Sequence, residues 1–304
     1  MLANKNLAVV LSHGSYHTPE PYKPLLKALQ SHGIESYCPQ RPTCDLIRLN
    51  VGDIDNPDFN REPPVGGYPS DTEDVDVTIR LLDRLINNEN KLVLLAGHSS
   101  GGWVATQAAV PELQIKSRQA QGKAGGIIGL FYIGAFIIPL GESLTSFVTP
   151  KDADFTQRPV PHLQFFKYGM DGLWRLKDPQ HFMLHDIDPE EAEIHTAKLT
   201  AAPTMTVSLT NDAYLALPCA FLITENDRLL PKEYQEHMIA LQTERGTQFT
   251  VYRAPSGHSP HLSWTAGLVE KMEEFANALK PWTSHSTLTS EWRSNIEPNR
   301  WVAS

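Results

Sequence analysis

A serine flanked by glycines stands in the segment KLVLLAGHSSGGWVATQAA, where Gly97, Ser99 and Gly101 satisfy the pattern G-x-S-x-G. An apolar run precedes this pattern and small residues follow it, which is the strand–turn–helix context that the pattern requires. Glycine on both sides removes β-carbons that would collide in a turn tight enough to lift the serine hydroxyl clear of the backbone. We therefore predict that Ser99 is a nucleophile, the alternative being a structural glycine turn.

A serine hydroxyl needs a base before it can attack a carbonyl at neutral pH. His258, in the segment YRAPSGHSPHLSW, follows a predicted strand and precedes the last predicted helix, and His261 is its nearest competitor. Where a G-x-S-x-G turn carries the nucleophile, the partners run along the chain in the order serine, acid, histidine. That order favours His258 as the general base.

The acid of such a triad should follow a strand that lies between the serine and the histidine in the chain. Residues 219–224 are a predicted strand, and Glu225-Asn226-Asp227-Arg228 forms the turn behind it. Asp227 would accept the proton-bearing ring nitrogen of His258, fix its tautomer and stabilise the imidazolium. The alternative is that Asp227 or Glu225 only caps the helix that begins near Pro231, since acidic residues are common near helix starts.

Backbone N–H groups, rather than particular side chains, are expected to hold the negative oxygen that forms when serine attacks a carbonyl. One should come from Ser100, the residue after the nucleophile, and the other from the loop at residues 12–17. In that loop Ser15 is the preferred donor and Tyr16 the alternative. Three side chains near these donors are candidate substrate contacts, namely Tyr16, His17 and His98.

Strand and helix patterns alternate along most of the chain and place these residues after strands. The predicted strands are residues 7–11, 34–38, 91–95, 127–135, 219–224 and 249–252. The predicted helices are residues 22–30, 70–86, 101–109, 232–241 and 268–279. Such alternation predicts the α/β class, with a mostly parallel sheet flanked by helices.

Residues 141–214 interrupt this alternation, because they are rich in Pro, Phe, His and Asp and show only short helical pieces. We predict that they form a helical cap inserted into a core of residues 1–140 and 215–281, with residues 282–304 as a C-terminal tail. Phe165, Phe166 and Trp174 are candidate pocket walls for an apolar or aromatic substrate. The alternative is that these aromatic side chains hold the cap together.

The sequence resembles the α/β-hydrolase superfamily, in particular the small-molecule esterase branch that includes plant methylesterases and hydroxynitrile lyases. The resemblance covers about residues 7–140 and 215–280, and it rests on HGSYH at 13–17, GHSSGG at 97–102, ENDRLLP at 225–231 and SGHSP at 256–260. The segment HFMLHDIDPEEAE at 181–193 is similar to fungal hydrolases of this type, which serve varied natural-product pathways. The resemblance implies the α/β-hydrolase fold, a serine esterase activity and a role in secondary metabolism.

Composition bounds the remaining possibilities. The 304 residues are 41% apolar and 20% charged, as in ordinary globular proteins, and their net charge of −9 argues against nucleic acid or an anionic membrane as the main partner. The apolar run before His13 is too short for a secretion signal, and three sparse cysteines indicate a reducing compartment, so we expect a cytoplasmic protein. No residue spacing predicts a metal site, and we expect no cofactor. The oligomeric state stays open, a homodimer included.

The expected reaction is hydrolysis of an ester or lactone bond in a small apolar or aromatic molecule, through an acyl-enzyme at Ser99. Two alternatives to hydrolysis remain. In the first, the same fold and triad support lyase, cyclase or C–C bond-cleaving chemistry, in which His258 acts as base and Ser99 is not acylated. The second is a non-enzymatic receptor for a small molecule, although an intact set of Ser99, Asp227 and His258 argues against it.

Overall fold

The computed structural model describes residues 6–148 and 172–279, and the backbone of residues 165–168. The strands are β1 Leu7–Ser12, β2 Glu35–Tyr37, β3 Leu92–His98, β4 Gly126–Ile133, β5 Phe165–Tyr168, β6 Leu173–Leu176, β7 Ala202–Pro203, β8 Cys219–Thr224 and β9 Phe249–Ala254. The α-helices are α1 Lys23–Ser31, α2 Asp71–Asp83, α3 Gly101–Ala108, α4 Ile115–Gln119, α5 Leu144–Val148, α6 Pro179–Phe182, α7 Pro189–Ala197, α8 Ala213–Ala216, α9 Lys232–Glu244, α10 Pro260–Ser263 and α11 Thr265–Ala278. A π-helical turn, Arg84–Asn88, follows α2.

A six-stranded sheet in the order β2-β1-β3-β4-β8-β9 forms the centre of the molecule, and every neighbouring pair is parallel. Strands β1, β4 and β8 are buried at every residue, because helices cover both faces of the sheet. The edge strand β9 is instead mostly half-buried or exposed. The predicted α/β class with a mostly parallel sheet is confirmed.

Each face of the sheet has its own hydrophobic core. Successive side chains of a strand point to opposite faces, so Ala8 and Val10 pack in one core while Val9 and Leu11 pack in the other. Residues from α2, α3 and α9 close the first core, and residues from α1 and α11 close the second. The parallel strands therefore all end at one edge of the sheet, where the loops after β1, β3, β8 and β9 meet.

The inserted segment differs from the predicted helical cap, because it contains a small antiparallel sheet in the order β5-β6-β7 beside its short helices. These strands have four residues or fewer, which is too short for alternation to be visible in a sequence. Met205, Leu209 and Tyr214 also pack in the first core, although the predicted boundary places them in the cap. The predicted tail, residues 282–304, lies outside the described residues.

None of the helices in the described part of the chain combines the length and the apolar character needed to cross a bilayer.

Asp71, in the first turn of α2, is a buried carboxyl group whose pKa makes the stability of the fold depend on pH. It is buried, and its Oδ2 accepts the Val207 N–H at 3.0 Å. Burial raises the pKa of Asp71 to about 6, although the Val207 N–H and the Arg41 guanidinium both lower it. Because the folded pKa exceeds the unfolded one, this group favours folding at low pH, and that contribution is lost as the pH rises through about 4 to 6.

We expect Asp71→Asn to raise the free energy of unfolding at about pH 7.5 by up to about 3 kcal/mol, because the amide keeps an acceptor for Val207 and carries no charge. The gain should be clearly smaller at about pH 4.5. Urea unfolding at the two pH values measures both, and a gain that does not depend on pH would contradict this explanation.

Candidate active site

Ser99 lies on a strained turn between β3 and α3. Its φ is 53°, in the left-handed region, which costs a non-glycine residue about 1–3 kcal/mol. The turn is held by two backbone hydrogen bonds, from Ser99 N–H to Ile133 O at 3.2 Å and from Phe136 N–H to Ser99 O at 3.0 Å. A β-carbon at Gly101 would lie 2.1 Å from Ser12 O, so the pattern's second glycine is required for the turn to pack on β1.

Asp227 and His258 form a buried pair after β8 and β9. Asp227 Oδ2 lies 2.7 Å from His258 Nδ1, and both side chains are inaccessible to solvent. A carboxylate can only accept, so Nδ1 carries the proton and Nε2 keeps the lone pair that a general base needs. Asp227 Oδ1 also accepts the N–H groups of Leu229 and Leu230, at 2.9 and 2.7 Å. Asp227 therefore fixes the turn before α9 but does not cap the helix, whose N-cap position is Pro231 and carries no side-chain cap.

The contact between His258 and Ser99 is not formed as a hydrogen bond. His258 Nε2 is buried and has no hydrogen-bond partner among the described residues. Such bonds often tighten only when substrate binds. The competing residues are placed elsewhere: Glu225 is exposed and pairs with Arg253 at 3.6 Å, and the His261 ring stacks on Tyr22 at 4.1 Å between centroids.

A chain of hydrogen bonds, not foreseen from the sequence, connects three loops of the site. Gly14 N–H donates to the Tyr22 hydroxyl oxygen at 3.1 Å, and the same oxygen lies 2.6 Å from His98 Nδ1. His98 Nε2 lies 2.7 Å from the carbonyl oxygen of His258. A carbonyl only accepts, so Nε2 carries the proton, and burial lowers the pKa of His98 so that its ring is neutral. The Tyr22 O–H therefore donates to Nδ1.

This chain fixes the relative positions of the loop at Gly14, the Ser99 turn and the His258 loop. Both ring nitrogens of His98 are used within the protein, and the side chain is fully buried. His98 was predicted as a candidate substrate contact, but neither of its ring nitrogens is free to bind a substrate. Its hydrogen bonds give it a structural role beside Ser99, which the spacing along the chain could not reveal.

Removing the Tyr22 hydroxyl should therefore destabilise the protein. In Tyr22→Phe the buried Gly14 N–H and His98 Nδ1 lose their partner, at a cost of about 1–3 kcal/mol for each group. Urea unfolding measures the loss. Tyr37→Phe is the matched control, because the Tyr37 hydroxyl donates to Glu35 Oε2 at a partly exposed position, where the cost should stay below about 1 kcal/mol. Equal losses in the two variants would refute the argument.

The loop after β1 runs directly against the nucleophile. A β-carbon at Gly14 would lie 3.1 Å from the β-carbon of Ser99. The Ser15 and Ser100 hydroxyl oxygens are 2.7 Å apart, so the two residues predicted to supply the oxyanion N–H groups are neighbours. Neither backbone N–H donates to another residue in the described part of the chain.

The remaining candidate substrate contacts are placed differently from one another. His17 is buried, its Nδ1–H donates to Ser15 O at 3.0 Å, and burial lowers its pKa to about 4, so its ring is neutral at pH 7. Tyr16 has a left-handed φ of 67° and packs beneath the inserted segment. Trp174 Nε1–H donates to Thr204 Oγ1 at 2.8 Å within that segment. The side chains of Phe165 and Phe166 lie outside the described residues.

The inserted segment contacts the loops that carry the site. Thr200 N–H donates to Tyr16 O at 2.8 Å, and Asp186 Oδ2 accepts Gly257 N–H at 2.5 Å, one residue before His258. Met183 and Leu184 belong to the same buried apolar cluster as Tyr16 and Leu229. The segment therefore lies on the Ser99 side of the sheet.

Several histidine rings lie close together at the site. The centroid of the His98 ring lies 4.9 Å from that of His258 and 5.1 Å from that of His261. Within residues 6–148 and 172–279 no three His, Cys, Asp or Glu side chains are arranged to hold a metal ion.

The parallel sheet, the strained serine turn and the Asp227–His258 pair together define a class of protein. Residues 9–276 match the family model of the alpha/beta hydrolase family, which covers most of the chain. The chain belongs to the alpha/beta hydrolase family. The predicted membership of the α/β-hydrolase superfamily is confirmed.

Known proteins similar to this chain include an alpha/beta hydrolase, nvfD, of Aspergillus novofumigatus (strain IBT 16806), which is 23% identical over 258 residues, covering 84% of this chain and 91% of that protein. A pyrethroid hydrolase from Sphingobium faniae JZ-2 matches with a TM-score of 0.62 and 19% identity, over 90% of this chain and 98% of that one. A polyneuridine aldehyde esterase matches with a TM-score of 0.63 and 17% identity, over 89% and 99% of the two chains. At these identities the solved structures show the shared fold.

Proposed function

We propose that the protein is a serine hydrolase that cleaves an ester or lactone bond of a small apolar or aromatic molecule. One observation carries the proposal: His258, oriented by Asp227 at 2.7 Å, has a buried Nε2 without a hydrogen-bond partner in the described part of the structure. His98, adjacent to Ser99 in the chain, holds the His258 carbonyl, so the base is tethered to the nucleophile turn. The lone pair on the buried Nε2 can accept the hydroxyl proton of Ser99 when the serine attacks a substrate.

The proposed reaction needs no cofactor. The Ser99 hydroxyl oxygen attacks the carbonyl carbon while His258 Nε2 takes the hydroxyl proton, and the N–H groups of Ser15 and Ser100 bind the oxyanion. His258 then passes the proton to the leaving oxygen, and the acyl group stays on Ser99. Water, deprotonated by the same Nε2, attacks the acyl-enzyme and restores the hydroxyl. Asp227 stabilises the imidazolium in both steps.

The substrate class is inferred from the apolar cluster between the inserted segment and the site loops. Its buried members include Tyr16, Leu176, Met183, Leu184, Leu199 and Leu229, and Trp174, Phe182 and Leu262 pack against it. Where this cluster borders the site loops, its apolar side chains would favour an apolar or aromatic ligand. The structural relatives, a pyrethroid hydrolase and a polyneuridine aldehyde esterase, support the ester as the bond cleaved. A role in secondary metabolism stays a prediction from the sequence resemblance.

A second candidate is a lyase or C–C bond-cleaving reaction on the same residues. The unpartnered His258 Nε2 is compatible with this reaction as well, because a base without a hydrogen bond to Ser99 can take a proton directly from a substrate.

Covalent labelling separates these candidates. Wild-type protein incubated with a fluorophosphonate probe should gain the mass of one probe, and peptide mapping should locate it on Ser99. The Ser99→Ala variant should remain unlabelled, and the Ser31→Ala control, which changes an exposed serine in α1, should be labelled like wild type. A panel of p-nitrophenyl esters and lactones then identifies the substrate. Absence of labelling in the wild type, together with turnover, would exclude the acyl-enzyme.

A further inference from the structure

Arg41 is a buried cation close to the site. It lies in the loop after β2 and is 1% exposed. Its Nε–H donates to Asp74 Oδ2 at 2.8 Å, and its Nη1–H groups donate to His13 O at 2.8 Å and to Ser100 Oγ at 2.9 Å. Burying a charge in this way is expensive unless its geometry is well satisfied. None of these bonds reaches Ser99, Asp227 or His258.

Asp74 neutralises the charge and fixes the orientation of the guanidinium. Its carboxylate also accepts Thr43 N–H at 3.0 Å and Thr43 Oγ1–H at 2.6 Å, and the whole side chain is buried. The ion pair is neutral as a unit, so its contribution to the site comes from the direction of its hydrogen bonds rather than from net charge.

The bond from Arg41 to Ser100 connects the guanidinium to the pair of serine hydroxyls. Arginine can only donate, so Ser100 Oγ is the acceptor of that bond. Its own O–H is then free to donate to Ser15 Oγ at 2.7 Å. The bond from Arg41 to His13 O holds the loop after β1 from its other end. One planar guanidinium thus holds both the loop with Ser15 and the turn with Ser100.

We propose that Arg41 is a positioning residue that sets the oxyanion hole, holding the backbone N–H groups of Ser15 and Ser100 through their linked hydroxyls. The inference rests on the proposed function, because it assigns Arg41 to the oxyanion of that reaction. Loss of one oxyanion donor lowers kcat by about 10²–10³-fold in other enzymes, and displacement of a donor should have part of this effect. The loss should fall on kcat rather than KM, because the oxyanion exists only after attack.

The test uses Arg41→Lys, Ser100→Ala and the double variant. Lysine keeps a positive charge beside Asp74, but its single ammonium lacks the planar fork that reaches three acceptors. Ser100→Ala keeps the backbone N–H and the Arg41–Asp74 pair, and removes only the link. Arg48→Lys is the matched control, since Arg48 is half-exposed and pairs with Glu73 on α2, next to Asp74.

Each single variant should lower kcat by about 10- to 100-fold with KM changed less than about 2-fold, and Arg48→Lys should match wild type. The kcat of the double variant should be no lower than that of the more impaired single variant, because the two residues act in series. A trifluoromethyl ketone, whose adduct carries an oxyanion, should bind about 10-fold or more weakly to Arg41→Lys, while the matching methyl ketone should bind unchanged. Equal weakening of both ketones, or additive losses in the double variant, would overturn the proposal.

The labelling experiment keeps the two hypotheses apart. If Arg41→Lys is labelled slowly but completely at Ser99, the serine hydrolase stands and the kinetic split decides the role of Arg41. If Arg41→Lys reacts as fast as wild type with full kcat, the role of Arg41 is disproved while the hydrolase stands. If wild-type protein is not labelled at all, the proposed function fails and the oxyanion role fails with it.

Discussion

Replacing Ser99 or His258 with alanine should lower ester turnover by several orders of magnitude, and the double variant should be little worse than either single one. The three members of a triad act as a unit, so removing one already removes most of its effect. The structure supports this expectation, because His258 Nε2 has no other described partner and Ser99 is held on its strained turn by the backbone. Initial rates with the best ester of the panel give the measurement.

The same variants separate the proposed reaction from its alternatives. A lyase that uses only His258 as a base would keep much of its rate in Ser99→Ala and lose it in His258→Ala. A receptor would bind its ligand equally well in both variants and show no turnover in wild type. Substantial ester turnover in Ser99→Ala would contradict the acyl-enzyme and leave the fold assignment intact. Tyr37→Phe, which changes a partly exposed hydroxyl in the edge strand β2, serves as the control for handling and expression.

The parts of the site that follow local rules could be predicted from the sequence. The Ser99 turn is encoded by two glycines and the apolar strand before them, so its position needed no long-range information. Asp227 and His258 followed from chain order and from the strands that precede them. The choice between His258 and His261, which lie three residues apart in the sequence, rested on order alone. The structure adds a physical reason for that choice, because Asp227 contacts the His258 ring.

The supporting residues could not be found in this way, because their contacts join distant parts of the chain. Arg41 lies in a proline-rich loop, and its partners Asp74 and Ser100 are 33 and 59 residues away. Tyr22 precedes an amphipathic helix, where a buried tyrosine is expected as core, and its partner His98 is 76 residues away. No local pattern marks a buried arginine or a buried tyrosine hydroxyl, so only the folded chain shows what each one holds.

The loops of the site are thus fixed from behind by three separate hydrogen-bond systems. The Tyr22–His98 chain ties the Gly14 loop to the Ser99 turn and to the His258 carbonyl. The Arg41–Asp74 pair ties the same loop to Ser100 from the other side. A third system, formed by Thr224 and Gln235, surrounds Asp227, with Gln235 Nε2–H donating to Leu230 O at 2.6 Å. Rigid support of this kind is what a preorganised oxyanion site and a fixed tautomer require.

Asp227→Asn should lower kcat by a factor on the order of 10⁴, because the variant holds the wrong tautomer of His258. The N–H groups of Leu229 and Leu230 both donate to Oδ1, so the asparagine oxygen must occupy that position. Its NH₂ group then faces His258 and donates to Nδ1, which moves the ring proton to Nε2. A histidine protonated at Nε2 cannot accept the proton of Ser99. The protein should still fold, since the amide keeps the two bonds of the turn, but with some loss of stability, because an NH₂ group at the Oδ2 position cannot accept the Thr224 O–H that Oδ2 accepts at 2.8 Å. Thermal unfolding checks this.

Glu225→Gln is the matched control for this variant. Glu225 lies in the same turn, two residues before Asp227, but it is exposed and pairs with Arg253 on β9. Its amide should retain full activity, because an exposed ion pair contributes at most about 1 kcal/mol to stability and nothing to the tautomer of His258. If Asp227→Asn kept most of the wild-type kcat while Glu225→Gln lost it, the acid would have to be reassigned. If both variants were fully active, His258 would need no orienting acid, and the base would be set by the His98–His258 bond alone.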